Sequence, residues 1–323
     1  MRQRVNRRDF LATAAAAGVA LTAADRVAGA SFKTKLRKAL IGSPTEATLA
    51  SWKEAGIEGM ETSQWDVAPE EAAKGKAVAE RLGMKIHAVL WGWANFNSQD
   101  PEAVKADLAK VERGLRAAQA YGADALLLVP CRIGSKGMKM PEAWEFDIEF
   151  DDRSGHVRKV AAGDNRPYEE YIAAHNHAID ASRVAVEKLI PTAEKAGVVI
   201  ALENVWNNLW VKPPLFKHFV ASFANPWVKA YFDIGNHVKY APPEEWIRAL
   251  GKLIVKCHVK DFKLNPDGHG GTFCDIREGS VNWPQVRKEL DNIGYNGWMT
   301  IEGSGKLSLE ERNRRLDLII AGK

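Results

Sequence analysis

The sequence predicts an α/β fold of the (β/α)8 TIM-barrel class, as a single domain over residues 31–323. Short apolar runs alternate with longer amphipathic stretches, a pattern typical of strand–helix units and a parallel sheet. Eight such units fit into about 290 residues, the count and length expected of this barrel. A doubly wound open sheet is the alternative, but it normally carries a glycine-rich turn after its first strand. Here that turn is Gly42-Ser43-Pro44, which fits poorly.

The first thirty residues are set apart from the barrel. Residues 6–11 read NRRDFL, an Ala-rich run follows, and Ala28-Gly29-Ala30 offers small residues for cleavage. This pattern resembles a twin-arginine export signal. A membrane span needs about 20 strongly apolar residues, and this run is shorter and poor in Leu and Ile. A frayed amphipathic helix is the remaining alternative. We predict a signal peptide at residues 1–30 and a periplasmic or otherwise extracytoplasmic protein, exported folded.

Charge and cysteine content exclude several classes of protein. The chain has a formal net charge of +4, and residues 1–30 contain five Arg and two Asp. The mature chain is therefore close to neutral, at about +1, which gives no electrostatic case for binding nucleic acid or an anionic membrane. We expect no stable membrane association. The sequence leaves the formation of a homo-oligomer undecided. The three cysteines, at positions 131, 257 and 274, leave a 131–274 disulfide possible but not required.

The first half of the barrel is predicted from its turn residues and apolar runs. Glycines at positions 83 and 122 suit left-handed helix C-caps. The connection from residue 131 to 167 is long, which is typical of functional loops. Its alternating residues 144–150 and 156–160 predict a β-hairpin flap in the β4–α4 loop, closing over the barrel mouth. The predicted strands are 38–41, 59–63, 85–90 and 125–130, and the helices are 45–55, 69–82 and 101–121.

The second half repeats the pattern with one more long loop. Residues 262–281 contain the glycine-rich sequence DGHGG at 267–271, and we predict a loop there. The predicted strands are 198–204, 228–233, 255–261 and 298–302, and the helices are 168–196, 214–223, 244–250, 284–293 and 309–320.

Four of these strands end on residues that can bind a metal: Glu203, Asp233, His258 and Glu302. The C-terminal ends of parallel strands meet at one mouth of a barrel, so these side chains should converge. A buried carboxylate costs several kcal/mol unless a charge or metal compensates it. A structural salt bridge could explain one position, but four successive strands favour a metal site. Carboxylates with one imidazole suit Mn²⁺, Mg²⁺, Co²⁺ or Zn²⁺, and the lack of Cys ligands argues against structural zinc.

The segments ALENVWNN, YFDIGNH, CHVKDF and MTIEGS resemble the xylose isomerase-like sugar isomerase/epimerase family. This family includes the ketose 3-epimerases and the sugar-phosphate branch often labelled hexulose-phosphate isomerase. The resemblance covers essentially all of residues 31–323. It implies one divalent ion, with Mn²⁺ as the leading expectation, bound by Glu203, Asp233, His258 and Glu302. It also implies a small-molecule sugar substrate whose enediolate the metal stabilises, with Glu203 and Glu302 as the catalytic proton-transfer pair.

A second group of polar and aromatic residues near the strand ends gives candidates for substrate binding. Each has a structural alternative: a loop histidine, a lysine paired with a carboxylate, or an aromatic ring that only packs. The candidates are His237, Lys260, His87, Glu61, Trp206 and Asn207.

The chain departs from the ketose 3-epimerases at two places. Those enzymes commonly carry a substrate-binding Glu six residues after the first ligand, where Leu209 stands here, and their later Arg has no clear match after His258. Because sugar phosphates are cytoplasmic, an exported member is expected to act on an unphosphorylated sugar or an oxidised glycoside. A dehydratase or lyase of a keto-sugar, keto-inositol or 3-keto-glycoside would use the same site. A nuclease resembling endonuclease IV is disfavoured by charge and ligand count, and a non-catalytic sugar-binding protein by the two glutamates.

Overall fold

The computed structural model describes residues 32–323, so the predicted signal peptide lies outside the described residues. Within this range the chain forms twelve strands and eight α-helices. The strands are β1 Arg37–Gly42, β2 Gly59–Thr62, β3 Lys85–Trp93, β4 Ala125–Val129, β5 Phe146–Phe150, β6 Val157–Ala161, β7 Val199–Glu203, β8 Val228–Asp233, β9 Ile254–Val259, β10 Asp261–Leu264, β11 Gly271–Cys274 and β12 Trp298–Ile301. The helices are α1 Glu46–Glu54, α2 Pro69–Arg81, α3 Pro101–Tyr121, α4 Glu169–Ala196, α5 Pro213–Ser222, α6 Pro243–Leu250, α7 Trp283–Asn292 and α8 Leu309–Ile320.

Eight parallel strands close into a barrel in the order β1-β12-β9-β8-β7-β4-β3-β2. The sheet has no edge because β1 pairs with both β12 and β2. The predicted fold class is confirmed. Closure brings β7, β8, β9 and β12 side by side, so the strand ends chosen from the sequence are neighbours around one half of the wall.

Local signals in the sequence account for the element boundaries. Helix α3 shows this well: the Asp100 side chain caps the backbone N–H of Glu102, Pro101 occupies the first turn, and Gly122 ends the helix at φ 72°. These are the residue types that favour a helix start and a left-handed stop. The main apolar core lies between the strands and the helices. A smaller cluster fills the barrel interior, with Ala88, Ala125, Leu127, Val129, Ala201 and Tyr231.

A hairpin of β5 and β6 is present in the β4–α4 connection. The backbone of Val157 exchanges hydrogen bonds of 2.8 and 3.1 Å with the Asn176 side chain of α4. The carbonyl of Asp152 lies 2.8 Å from His218 Nε2 of α5. The tip is therefore anchored on the outer helices, and closure of this hairpin over the site stays a prediction.

The loop predicted at residues 262–281 contains a second hairpin, made of β10 and β11. The buried carboxylate of Asp261 organises it, accepting from the Arg277 and Gly279 backbone N–H groups and from Trp283 Nε1. At its far end His269 stacks on Trp144 from the segment before β5, with ring centroids 4.3 Å apart. The two long connections therefore meet. Among helices of the described chain, none has the length and apolar character that a membrane crossing requires.

Candidate metal centre

Four potential ligands from four neighbouring strands converge at the C-terminal mouth of the barrel. Glu203 and Asp233 are the last residues of β7 and β8, His258 is next to last in β9, and Glu302 directly follows β12. The register of the sheet places Asp233 beside His258. One ligand atom from each residue lies within 4.8 Å of the others. This arrangement could hold one metal ion.

The imidazole of His258 lies at the centre of this cluster. Its Nδ1 atom is 3.1 Å from Glu203 Oε1, 3.0 Å from Glu302 Oε2 and 3.9 Å from Asp233 Oδ2. An imidazole nitrogen carries at most one proton, so it cannot donate to two carboxylates at full strength. A cation among these atoms would satisfy all of them.

Asp233 presents one bonded and one free oxygen. Its Oδ1 accepts the backbone N–H groups of Gly235 at 2.8 Å and Asn236 at 2.6 Å. Its Oδ2 is buried and has no hydrogen-bond donor within residues 32–323. Leaving a buried charged acceptor without a partner is costly. The free oxygen belongs to the cluster around His258 Nδ1. A metal ion bound to this oxygen would remove that cost.

The charge of the cluster also fits a divalent cation. The Lys260 ammonium is 2.9 Å from Glu302 Oε1 and 3.5 Å from Asp233 Oδ2, and it donates to Asn236 Oδ1 at 3.1 Å. The Lys260 ammonium and the His258 imidazole together face four carboxyl groups, of which three are buried and that of Glu302 is partly exposed. Grouped carboxylates of this kind are stable when paired or metal-bound. The carboxylates are Glu61, Glu203, Asp233 and Glu302.

Burial shifts the carboxyl groups of Asp233 and Glu203 toward their protonated forms. It raises the pKa of Asp233 to about 7, against the opposing charge of Lys260. It likewise raises the pKa of Glu203, against a hydrogen bond with His258. Both groups are therefore more basic than ordinary carboxylates, as expected where desolvation disfavours the charge.

The other two groups are shifted toward their charged forms. Burial disfavours the Glu302 carboxylate, but His258 and Lys260 outweigh burial and hold its pKa well below the usual range. Burial likewise disfavours the His258 imidazolium, yet the negative charges of Glu61 and Glu302 raise the pKa of His258 well above its ordinary value. The site therefore contains one glutamate whose pKa is raised, Glu203, and one whose pKa is lowered, Glu302. Such a pair is suited to acid–base chemistry.

Two predicted substrate contacts are fully buried inside the barrel. Glu61 is fully buried and its Oε2 lies 2.7 Å from His258 Nε2, on the opposite side of the ring from the ligand cluster. His87 is also fully buried, stacks on Trp298, and meets Thr300 Oγ1 at 3.0 Å. β3 continues to Trp93, so His87 lies near the start of its strand. That either residue binds substrate stays a prediction.

Of the remaining candidates, Lys260 contacts two members of the ligand cluster, Asp233 and Glu302. Trp206 lies beside the cluster. The Trp206 indole donates to the Asn236 carbonyl and its ring lies 4.9 Å from that of Phe273. His237 is instead held in the core, where its Nε2 meets the Val205 carbonyl at 2.9 Å. Burial lowers the pKa of His237 to about 3, so it is neutral.

Asn207 is fully buried and caps a local turn, accepting the Leu209 N–H at 3.1 Å. It therefore shapes the loop after β7.

Sequence reasoning missed two residues beside the cluster. Asn236 connects Asp233, Lys260 and Trp206 through its backbone and side chain. Phe273 is 44% exposed, with its ring centroid 5.1 Å from the Lys260 ammonium. Alternation within β11 would have been the only signal for Phe273, and that strand was predicted as loop. Both Phe273 and Glu302 line a cavity of about 410 Å³, together with Lys260, Cys274, Asp275, Glu278, Gly303, Ser304, Gly305 and Lys306.

Solved structures similar to this chain include several proteins that act on sugars or sugar acids. One is 3-keto-D-glucoside 4-epimerase from E. coli, with TM-score 0.64 and 13% identity, covering 88% of this chain and 99% of that one. A D-tagatose 3-epimerase-like protein has TM-score 0.65 and 16% identity, covering 88% and 98%. Mannonate dehydratase from Streptococcus suis has TM-score 0.63 and 14% identity, covering 89% and 94%. At these identities the likeness shows a shared fold.

Sequence comparison identifies the family. An uncharacterised protein of Methanocaldococcus jannaschii is 28% identical over 130 residues, which span 38% of this chain and 43% of that protein. The model of the xylose isomerase-like TIM barrel matches residues 49–317, most of the barrel described above. The chain therefore belongs to the xylose isomerase-like TIM barrel family.

Proposed function

We propose that this protein is a divalent-metal-dependent isomerase or epimerase of a keto-sugar or sugar derivative. The observation that carries the proposal is the cluster at the barrel mouth, where Glu203 and Glu302 both approach His258 Nδ1 and Asp233 has a free oxygen. The similarity to 3-keto-D-glucoside 4-epimerase and a D-tagatose 3-epimerase-like protein supports a sugar substrate.

Glu203, Asp233, His258 and Glu302 would hold the ion, with Mn²⁺ as the first choice. A divalent ion in this position supplies Lewis-acid chemistry, favouring negative charge on a substrate oxygen. Asp233 and His258 serve only as ligands in this proposal. Asp233 is suited to that role because two backbone N–H groups fix its carboxylate.

The two glutamates move the proton. One takes the proton from the carbon next to the substrate carbonyl, and the other returns a proton to the opposite face, which inverts the configuration. Their unequal environments suit this division, because the pKa of Glu203 is raised by burial while that of Glu302 is lowered by His258 and Lys260 despite burial. Lys260 neutralises Glu302 and can donate to a substrate oxygen from the same position.

A second function uses the same proton abstraction for elimination. In a dehydratase or lyase, loss of water or of an aglycone follows proton removal in place of reprotonation. The similarity to mannonate dehydratase favours keeping this alternative. The cavity of about 410 Å³ beside Glu302 also leaves room for a leaving group.

One experiment separates these functions. The purified protein is incubated with Mn²⁺ in D₂O and a panel of unphosphorylated keto-sugars and 3-keto-glycosides. One deuterium in an otherwise unchanged product mass indicates epimerisation or isomerisation, whereas a lost water or aglycone indicates elimination. Sugar binding without exchange, unaffected by Glu302→Gln, would instead indicate a sugar-binding protein.

We also propose export to the periplasm by the twin-arginine route, on the basis of the motif at residues 6–11.

A further inference from the structure

Beneath the ligand cluster, the barrel interior contains a second polar contact to His258. The Nε2 atom of His258 lies 2.7 Å from Glu61 Oε2. Glu61 lies on β2, which is not a neighbour of β9 in the sheet, so its side chain reaches His258 across the barrel interior. Glu61 is fully buried. The two ring nitrogens therefore have different surroundings: Nδ1 faces the ligand cluster and Nε2 faces Glu61.

A second residue holds Glu61 in place. The Tyr231 hydroxyl donates to the same Glu61 oxygen at 2.8 Å, and the Tyr231 ring lies 4.4 Å from the His258 ring, between centroids. Tyr231 therefore contacts both the imidazole and its carboxylate partner. Glu61 Oε1 has no hydrogen-bond donor among the described residues. A buried carboxylate with a free oxygen is a costly way to stabilise a barrel, which argues against a purely structural role.

The chemistry of imidazole gives this contact a consequence for metal binding. A neutral histidine binds a metal through one nitrogen and donates from the other, and the partner of the donor decides which is which. An ionised carboxylate only accepts hydrogen bonds. With Glu61 Oε2 at 2.7 Å as the acceptor, a neutral His258 carries its proton on Nε2, which leaves the Nδ1 lone pair facing Glu203, Asp233 and Glu302.

We propose that Glu61 is a positioning residue: it sets the tautomer and ring orientation in which His258 binds the metal, and Tyr231 holds Glu61 for this task. The inference rests on the metal site of the proposed function and goes beyond it, because it assigns a role to a residue outside the four candidate ligands.

The test measures Mn²⁺ affinity by titration calorimetry on chelator-treated protein, together with thermal unfolding of the metal-free form. Removing the partner of a ligating histidine typically weakens metal binding about 10- to 100-fold. We expect a loss near the lower end for Glu61→Gln, which keeps an acceptor, and near the upper end for Glu61→Leu. Tyr231→Phe removes one hydroxyl and should weaken binding several-fold; it serves as the test if the Glu61 variants fail to fold.

Thr62→Val is the matched control. Thr62 is fully buried on the same strand as Glu61, and its hydroxyl accepts the Gln64 N–H at 3.2 Å. Its removal should lower stability and leave Mn²⁺ affinity unchanged. ¹⁵N-histidine NMR of the Zn²⁺-loaded protein gives a second readout: the His258 proton should lie on Nε2 in wild type and become mixed in Glu61→Leu.

The outcomes separate the two levels of inference. Wild-type affinity in the folded Glu61 and Tyr231 variants, with an unchanged NMR tautomer, would overturn the role of Glu61 and leave the metal site intact. A wild-type protein that binds no Mn²⁺ would overturn the metal site and the role of Glu61 together.

Discussion

Replacing Asp233 with Asn tests whether the free carboxylate oxygen is a metal ligand. Asn has the same shape, and its carbonyl oxygen can still accept the N–H groups of Gly235 and Asn236. Its amide nitrogen then takes the place of Oδ2, and an amide N–H donates and cannot bind a cation. We expect Asp233→Asn to lose more Mn²⁺ affinity than the roughly 10- to 100-fold typical of residues one step from the metal.

The same substitution should change how stability depends on pH. Burial, opposed by Lys260, raises the pKa of Asp233 from 3.8 to about 7. At about 1.36 kcal/mol per pKa unit, ionising this carboxyl in the metal-free protein costs roughly 4 kcal/mol. Because the folded pKa is above the unfolded value, the contribution is fully present below about pH 4 and is lost as pH rises through about 7. Asp233→Asn should lack this loss, and Mn²⁺ should reverse it only in wild type.

The assay is urea unfolding of chelator-treated wild type and Asp233→Asn at pH 5 and pH 8, each with and without Mn²⁺. Asp261→Asn is the control, because Asp261 is a buried carboxylate whose oxygens both accept hydrogen bonds. Asp261→Asn should lower stability by about 1–3 kcal/mol and leave Mn²⁺ affinity unchanged. The reasoning would be refuted if Asp233→Asn bound Mn²⁺ like wild type, or if the two proteins lost stability equally between pH 5 and pH 8.

Three further predictions concern turnover, metal removal and export. Glu203→Gln and Glu302→Gln should each lower turnover by about 10²- to 10⁴-fold at saturating Mn²⁺; full activity of either folded variant would contradict the proton-transfer pair. Mn²⁺ at 100 times its Kd should stabilise the protein by about 2.7 kcal/mol, raising the melting temperature by several degrees, and EDTA should reverse this; a melting curve insensitive to both would count against the site. Residues 1–30 fused to a folded reporter should direct its export, and replacing Arg7 and Arg8 with Lys should stop it; cytoplasmic retention of the unaltered fusion would disprove the signal.

Periodicity and residue chemistry were sufficient to predict the barrel and the ligand cluster. Each ligand is the polar residue that interrupts or ends an apolar strand, and parallel strands in a closed barrel must bring such ends together. Glu203 and Asp233 could be recognised in this way because a carboxylate there needs compensation. Asp233 lies beside His258 in the register of the sheet. This pairing was expected once the two residues had been placed at the ends of neighbouring barrel strands.

Depth within the barrel was not predictable from sequence alone. Glu61 and His87 have the composition of pocket residues, but both are fully buried, and His87 lies near the start of its strand. β3 extends to Trp93, beyond the predicted end at residue 90. The β10–β11 hairpin was also missed, since its short strands flank a glycine-rich segment and depend on hydrogen bonds from Gly279 and Trp283 to the Asp261 carboxylate.

The four candidate ligands come from β7, β8, β9 and the residue after β12, and these strands are consecutive around the wall. The side chains that would hold an ion therefore come from one half of the rim. The loops after β1 to β4 contribute none of the four candidate ligands, so their length and composition can change without removing one. The first half of the barrel still takes part through Glu61 of β2, whose carboxylate meets His258. A change in that half would therefore spare the four side chains themselves as long as Glu61 is kept.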